Sequence, residues 1–174
     1  LIDGAIDRKS IAAPGTSDAI ILSTGAVLSR SMKKVIEETA HTVGLYRLPI
    51  LEDGEDKDII LEHLGEERPM IVGNGDVRIL DLTTGLGAGK FLDGQINEST
   101  EYIYVPGAFT QSVVADINPR KLKNITFVLK DPTKIFIDSV SWGQLRKKGL
   151  KVKVLENINV AAITVNPSAP GGYA

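Results

Sequence analysis

The stretch that most invites chemistry is Thr83-Thr84-Gly85-Leu86-Gly87-Ala88-Gly89-Lys90, glycine-rich and closed by a lysine directly after an apolar run. Backbone N–H groups laid bare by glycine can wrap an anion, and a lysine adds charge. The spacing departs from both common phosphate loops. A Walker-type loop needs glycine at position 84 and a hydroxyl residue at 91, where the chain has Thr84 and Phe91. A dinucleotide-binding turn needs its last glycine one residue later than Gly89. Two readings stand: an anion site formed by Gly85, Gly87, Gly89 and Lys90, or a flexible turn.

A second candidate is Asp3-Gly4-Ala5-Ile6-Asp7-Arg8, which sets two carboxylates and a guanidinium on a loop after the apolar pair Leu1-Ile2. Carboxylates at the end of a buried parallel strand are common magnesium partners in nucleotide-binding α/β folds. The plainer reading has Asp3 capping the turn and pairing with Arg8. In Lys130-Asp131-Pro132-Thr133-Lys134, Lys130 and Lys134 flank ordinary turn chemistry and offer charge to an anion or simply to solvent. His41 reads as a surface residue near a helix C-terminus, and His63 lacks the partners of a metal site. Ser23, Ser29 and Ser31 have no nucleophile-elbow context.

Ala19-Ile20-Ile21-Leu22-Ser23-Thr24-Gly25 is a continuous apolar run, expected to be a strand buried on both faces. Met32, Val35, Ile36, Thr39, Ala40 and Val43 then lay an apolar stripe along a helix over 31–43, and a shorter helix is expected over 57–64. Further strands are read at 70–72, 77–82, 102–105, 125–129, 135–137, 152–155 and 160–165. A helix over 139–148 has Asp138 or Ser139 at its start, Arg146, Lys147 and Lys148 in its last turn, and Gly149 as its stop. Phe109, Val113 and Ile117 mark another helix. The alternation predicts an α/β fold: a mainly parallel sheet with flanking helices, in two small α/β units divided at 66/67. The opening residues read as the end of a central strand, and on that reading the chain is expected to be an internal piece of a longer polypeptide.

Composition narrows the classes. The 174 residues carry 20 Lys and Arg against 22 Asp and Glu, so no global basic field draws nucleic acid. Cysteine is absent, which excludes disulfides, thiolate zinc sites and cysteine nucleophiles. No apolar run is long enough to span a bilayer, and no export signal opens the chain, so the sequence reads as cytoplasmic.

The run Leu1-Ile2-Asp3-Gly4-Ala5-Ile6-Asp7-Arg8-Lys9-Ser10, with Asp18-Ala19-Ile20-Ile21-Leu22-Ser23-Thr24-Gly25-Ala26, resembles the reactivase subunit family encoded beside lysine 5,6-aminomutase. Lys130-Asp131-Pro132-Thr133-Lys134-Ile135-Phe136 and Val165-Asn166-Pro167-Ser168-Ala169-Pro170 resemble its distal half. The resemblance implies a P-loop-type ATPase that exchanges damaged cobalamin on the aminomutase, with a second ATPase subunit and the aminomutase as partners. It implies ATP and magnesium as cofactors, with Asp3 facing the metal and Asp7 and Arg8 nearby. The family's phosphate loop lies upstream of the aspartate-glycine-alanine strand and has no counterpart here. This chain alone is therefore expected to be inactive as an ATPase, residues 1–66 being the distal part of the nucleotide-binding unit and 67–174 a second α/β unit. A stand-alone domain binding a small anion, or an interaction domain without catalysis, is the alternative.

Overall fold

A computed structural model of the protein describes residues 9–82 and 87–168. In chain order the elements are β1 (Ile20–Gly25), α1 (Met32–Tyr46), α2 (Glu55–Glu62), β2 (Met70–Gly73), β3 (Asp76–Ile79), α3 (Ala88–Gln95), β4 (Tyr102–Val105), β5 (Phe109–Thr110), α4 (Gln111–Val114), α5 (Pro119–Leu122), β6 (Thr126–Leu129), β7 (Ile135–Phe136), α6 (Ser139–Lys148), β8 (Val152–Val154) and β9 (Val160–Asn166). The fold is α/β, and four of the six strand pairings among the described residues are parallel. Two compact units result: one holds residues 9–48, 131–133 and 156–168, the other the described residues of 49–130 and 134–155.

The larger unit is built on a five-stranded sheet in the order β3-β2-β4-β6-β8. β4, β6 and β8 run parallel, with Ile103 beside Phe127 and Phe127 beside Val152. Side chains alternate across a strand, so Phe127 and Val128 point to opposite faces. On the Val128 face, Tyr104, Met70, Val72 and Leu51 pack with Ile60 of α2. On the Phe127 face, the Phe109 ring lies 5.1 Å from that of Phe127 at a tilt of 55°, which brings the β4 to β6 connection over that side. Both faces are thus covered, as parallel strands require.

β2 and β3 depart from the parallel pattern: they form an antiparallel hairpin. Its turn is Asn74-Gly75, with φ of 56° and 76°. Both values are positive, the conformation a tight hairpin turn needs and Asn-Gly supplies at low cost. β2 is also antiparallel to β4, so the hairpin ends the parallel part of the sheet.

Helix ends follow local chemistry. The Asp138 carboxylate accepts from the Ser141 N–H at 2.9 Å, and that bond holds its pKa below the usual aspartate range. Gly149, at φ 108°, closes α6 in the left-handed form, and a Cβ there would press on the Lys123 side chain. Asn118 caps α5 through Arg120 N–H at 2.9 Å, with Pro119 in its first turn. The single helix expected through Phe109, Val113 and Ile117 does not form: Phe109 lies in β5, Val113 in α4 and Ile117 between α4 and α5, and Asn118-Pro119 starts α5 afresh.

The smaller unit pairs β1 with β9 in parallel, Leu22 beside Ile163 and Thr24 beside Val165. Tyr46, Ile158 and Val160 form its core with Ile20 and Leu22 packed against them. Thr24 Oγ1 and Thr39 Oγ1 lie 2.6 Å apart, and Thr39 donates to Val35 O, so a hydroxyl chain ties α1 to β1. Burial on both faces does not extend along these strands: Ile21 is 63% exposed and Val165 69%. The stripe on α1 is likewise only partly covered, with Met32 and Ile36 exposed. Among the described residues no helix is long and apolar enough to cross a membrane.

Gly25 ends β1 at φ 151°, and a Cβ there would stand 1.8 Å from Asn166 O. Gly25→Ala is expected to open the β1–β9 pairing and cost on the order of 3 kcal/mol, as steric strain at a special backbone position does. Urea unfolding measures it; a loss under about 0.5 kcal/mol, the range of an ordinary surface change, would contradict the close approach.

Candidate functional site

In parallel α/β sheets the loops after the C-terminal strand ends are the usual ligand positions, so the segments after β6 and before α3 come first. After β6, Lys130 is exposed and Lys134 half-buried. Between them Asp131 is buried, and its Oδ1 accepts from the Thr133 N–H at 2.8 Å and from the Thr133 hydroxyl. The buried carboxylate thereby holds Pro132–Lys134 in a 3-10 turn, with its Oδ1 engaged by its own loop. The turn chemistry read from Asp-Pro-Thr is what forms. Neither lysine is in an ion pair among the described residues.

The described end of the glycine-rich segment is the start of α3. Gly87 is its N-cap in the left-handed conformation, φ 90°. Gly89 is buried, and a Cβ on it would lie 3.0 Å from Ser112 O, 3.2 Å from Asp116 N and 3.3 Å from Val113 O. The glycine at 89 therefore permits close packing of α3 on α4. Lys90, the next residue, is exposed and forms no ion pair among the described residues. Gly85 lies outside the described residues, as do Asp3, Asp7 and Arg8. The structure thus does not bring Lys90, Lys130 and Lys134 into a hydrogen-bonded or ion-paired set.

Sequence reading missed a cleft of about 450 Å³ lined by Asp93, Ile117, Asn118, Leu122, Leu145 and Lys148. It is open, and its lining mixes apolar side chains with polar and charged ones. Asp93 accepts from Asn118 N–H at 2.8 Å and from Lys121 Nζ at 3.4 Å, and that lysine also donates to Asp93 O. The carboxylate is fully engaged in holding α3 to α5, a role that no residue spacing announced because the partners are 25 and 28 positions away.

The histidines have structural settings. His63 caps α2, with Nδ1 2.8 Å from Ile59 O, and His41 lies half-buried in α1. No group of three or more metal-capable side chains occurs among the described residues. Glu52 and Asp53 titrate below the usual carboxylate range because Lys153 and Lys57 donate to them. Burial pushes the Tyr46 phenol up.

No family model matches the chain, nor does any curated protein or solved structure.

The packing role of Gly89 has a direct check. Gly89→Val should force α3 away from α4 and cost about 1–3 kcal/mol, the usual penalty of overpacking, whereas Lys90→Ala should leave stability within about 0.5 kcal/mol. Thermal unfolding of both variants measures this; equal stability of Gly89→Val and the parent chain would contradict the packing role.

Proposed function

We propose that the chain is the distal part of an ATP-binding accessory protein resembling the aminomutase reactivase subunit, and that β1 and β9 belong to a larger parallel sheet carrying the nucleotide. The observation behind this reading is the uncovered apolar surface of the smaller unit. A two-stranded parallel sheet is a poor independent structure, since parallel strands gain their stability from neighbours and from cover on both faces. Here Ile21, Ile163, Val165, Met32 and Ile36 are all left in solvent.

In this reading Asp3 closes a neighbouring strand and faces magnesium, with Asp7 and Arg8 on the loop beyond it. ATP would supply the free energy for exchanging damaged cobalamin, and the phosphate-gripping loop would come from outside this chain. The chain's own contribution is scaffold, the acidic residue at the strand end and, through the larger unit, surface for the second subunit and the aminomutase in the cytoplasm. The chain by itself is not a working ATPase.

A second reading, a domain that binds a small anion, draws support from Lys90, Lys130 and Lys134, none of which is in an ion pair among the described residues.

The experiment is calorimetry with magnesium and ATP on two proteins, this chain and the product of its whole reading frame. The whole product should bind, Asp3→Asn should weaken binding at least about tenfold as loss of a metal partner does, and this chain alone should give no heat. A whole product without a Gly-Lys-Ser or Gly-Lys-Thr loop, or binding indifferent to Asp3→Asn, would overturn the reading. Heat from phosphate on this chain, abolished by Lys90→Ala, would establish the second reading instead.

A further inference from the structure

Charge is unevenly divided between the two sides of the larger unit. Residues 52–67 hold eight carboxylates and one cation, Lys57. Residues 119–151 hold nine cations and two carboxylates, Asp131 and Asp138. The fold sends the helices of these segments, α2 on one side and α5 with α6 on the other, to opposite faces of one sheet. Ile60 fixes α2 on the face of Tyr104 and Val128. The β4 to β6 connection, which includes α5, lies on the Phe127 face through the Phe109 ring. α6 connects β6 to β8, the next step in the same direction across the sheet, so the right-handed crossover rule puts it on that face too. The tight approach of Gly149 to Lys123 and the shared cleft lined by Leu122 and Leu145 independently hold α5 and α6 together.

Local pairing leaves most of this charge uncompensated. On the acidic side Glu55, Asp56, Asp58, Glu62 and Glu67 enter no ion pair among the described residues; on the basic side the same holds for Arg120, Lys123, Lys147, Lys148 and Lys151. All of these are exposed except Asp56, which is half-buried. Each side also carries uncovered apolar side chains, Leu61 and Leu64 around α2 and Val140 on α6. Scattered surface charge is ordinary; segregation of opposite signs onto opposite faces of one sheet creates a body whose two sides attract each other between copies.

We propose that the acidic α2 face of one copy docks on the basic α5–α6 face of a second copy, head to tail. The chain's small net charge leaves no overall repulsion to oppose this. Because the two surfaces differ, the contact is heterologous and extends beyond a pair at high concentration. Exposed ion pairs are individually weak and screened, so the association is reversible and governed by salt.

Sedimentation velocity of the full chain at about 20 mM and about 500 mM salt, a range over which screening length falls several-fold, tests this together with two variants. One is Arg120→Glu/Lys147→Glu, on the basic face; the other is Asp58→Lys/Glu62→Lys, on the acidic face. The parent chain should associate at low salt, with an apparent dissociation constant at least about tenfold higher at high salt. Each variant alone should be monomeric. An equimolar mixture should give a capped heterodimer and nothing larger, because each variant retains the face that the other's intact face recognises. That complementation also demonstrates that both variants are folded. A parent chain monomeric at low salt, association that survives either charge reversal or strengthens with salt, or a mixture that stays monomeric would overturn the proposal. So would binding of a DNA or RNA duplex to the basic face without self-association. None of these results bears on ATP binding by the whole reading frame, so the two proposals fail separately.

Discussion

Covering both faces of parallel strands is the constraint on which this structure turns. A parallel strand is apolar on each side, and its hydrogen bonds are secure only when water is kept from both. In the larger unit the constraint is met: Tyr104, Met70, Val72 and Val128 meet α2 on one side, and Phe127 meets Phe109 on the other. Everything else in that unit follows from it, including the close packing at Gly89 that brings α3 onto α4. In the smaller unit the same kind of apolar strand is present and the cover is partial, which leaves Ile21, Ile163 and Val165 in solvent.

Much of this was legible in the residues. α6 forms over the span its cap, its basic last turn and Gly149 predict. The α/β class and the strands at 20–25, 70–73, 102–105 and 126–129 follow from apolar runs of the right length. The Asn74-Gly75 hairpin carried a plain signal, the dipeptide most suited to a two-residue turn, and it is the feature that makes β2 antiparallel. The burial of β1 was not legible. Ile20-Ile21-Leu22 reads as buried on both faces because the composition of a strand records the fold it evolved in, whereas exposure depends on which neighbours lie beside it. The helix through Phe109 and Ile117 misled for a different reason: the i, i+4 spacing matched a helical face, but Asn118-Pro119 restarts the helix and Phe109 is drawn into a strand beside Ile135.

Site chemistry was harder to read than fold. Glycines signal backbone freedom without saying what uses it, and Gly89 serves helix packing. Lys130 and Lys134 flank a turn whose acidic member is consumed by Thr133. The Asp93 clasp on Asn118 and Lys121 joins positions too far apart for any local pattern to reveal. Charge, by contrast, could be counted from the sequence, but its meaning could not. Only the sheet, by separating α2 from α5 and α6, turns two charged runs into two opposed faces.

Backbone amide hydrogen exchange on the 174-residue chain tests the central claim most directly. Amides of residues 103–105 and 127–129, covered on both sides, should exchange at least about a hundredfold more slowly than those of 21–24 and 162–165, as sub-global opening of a less covered segment requires. Protection of the two sets equal to within about threefold would mean that the smaller unit's sheet is as secure as the larger one's, and would contradict the account.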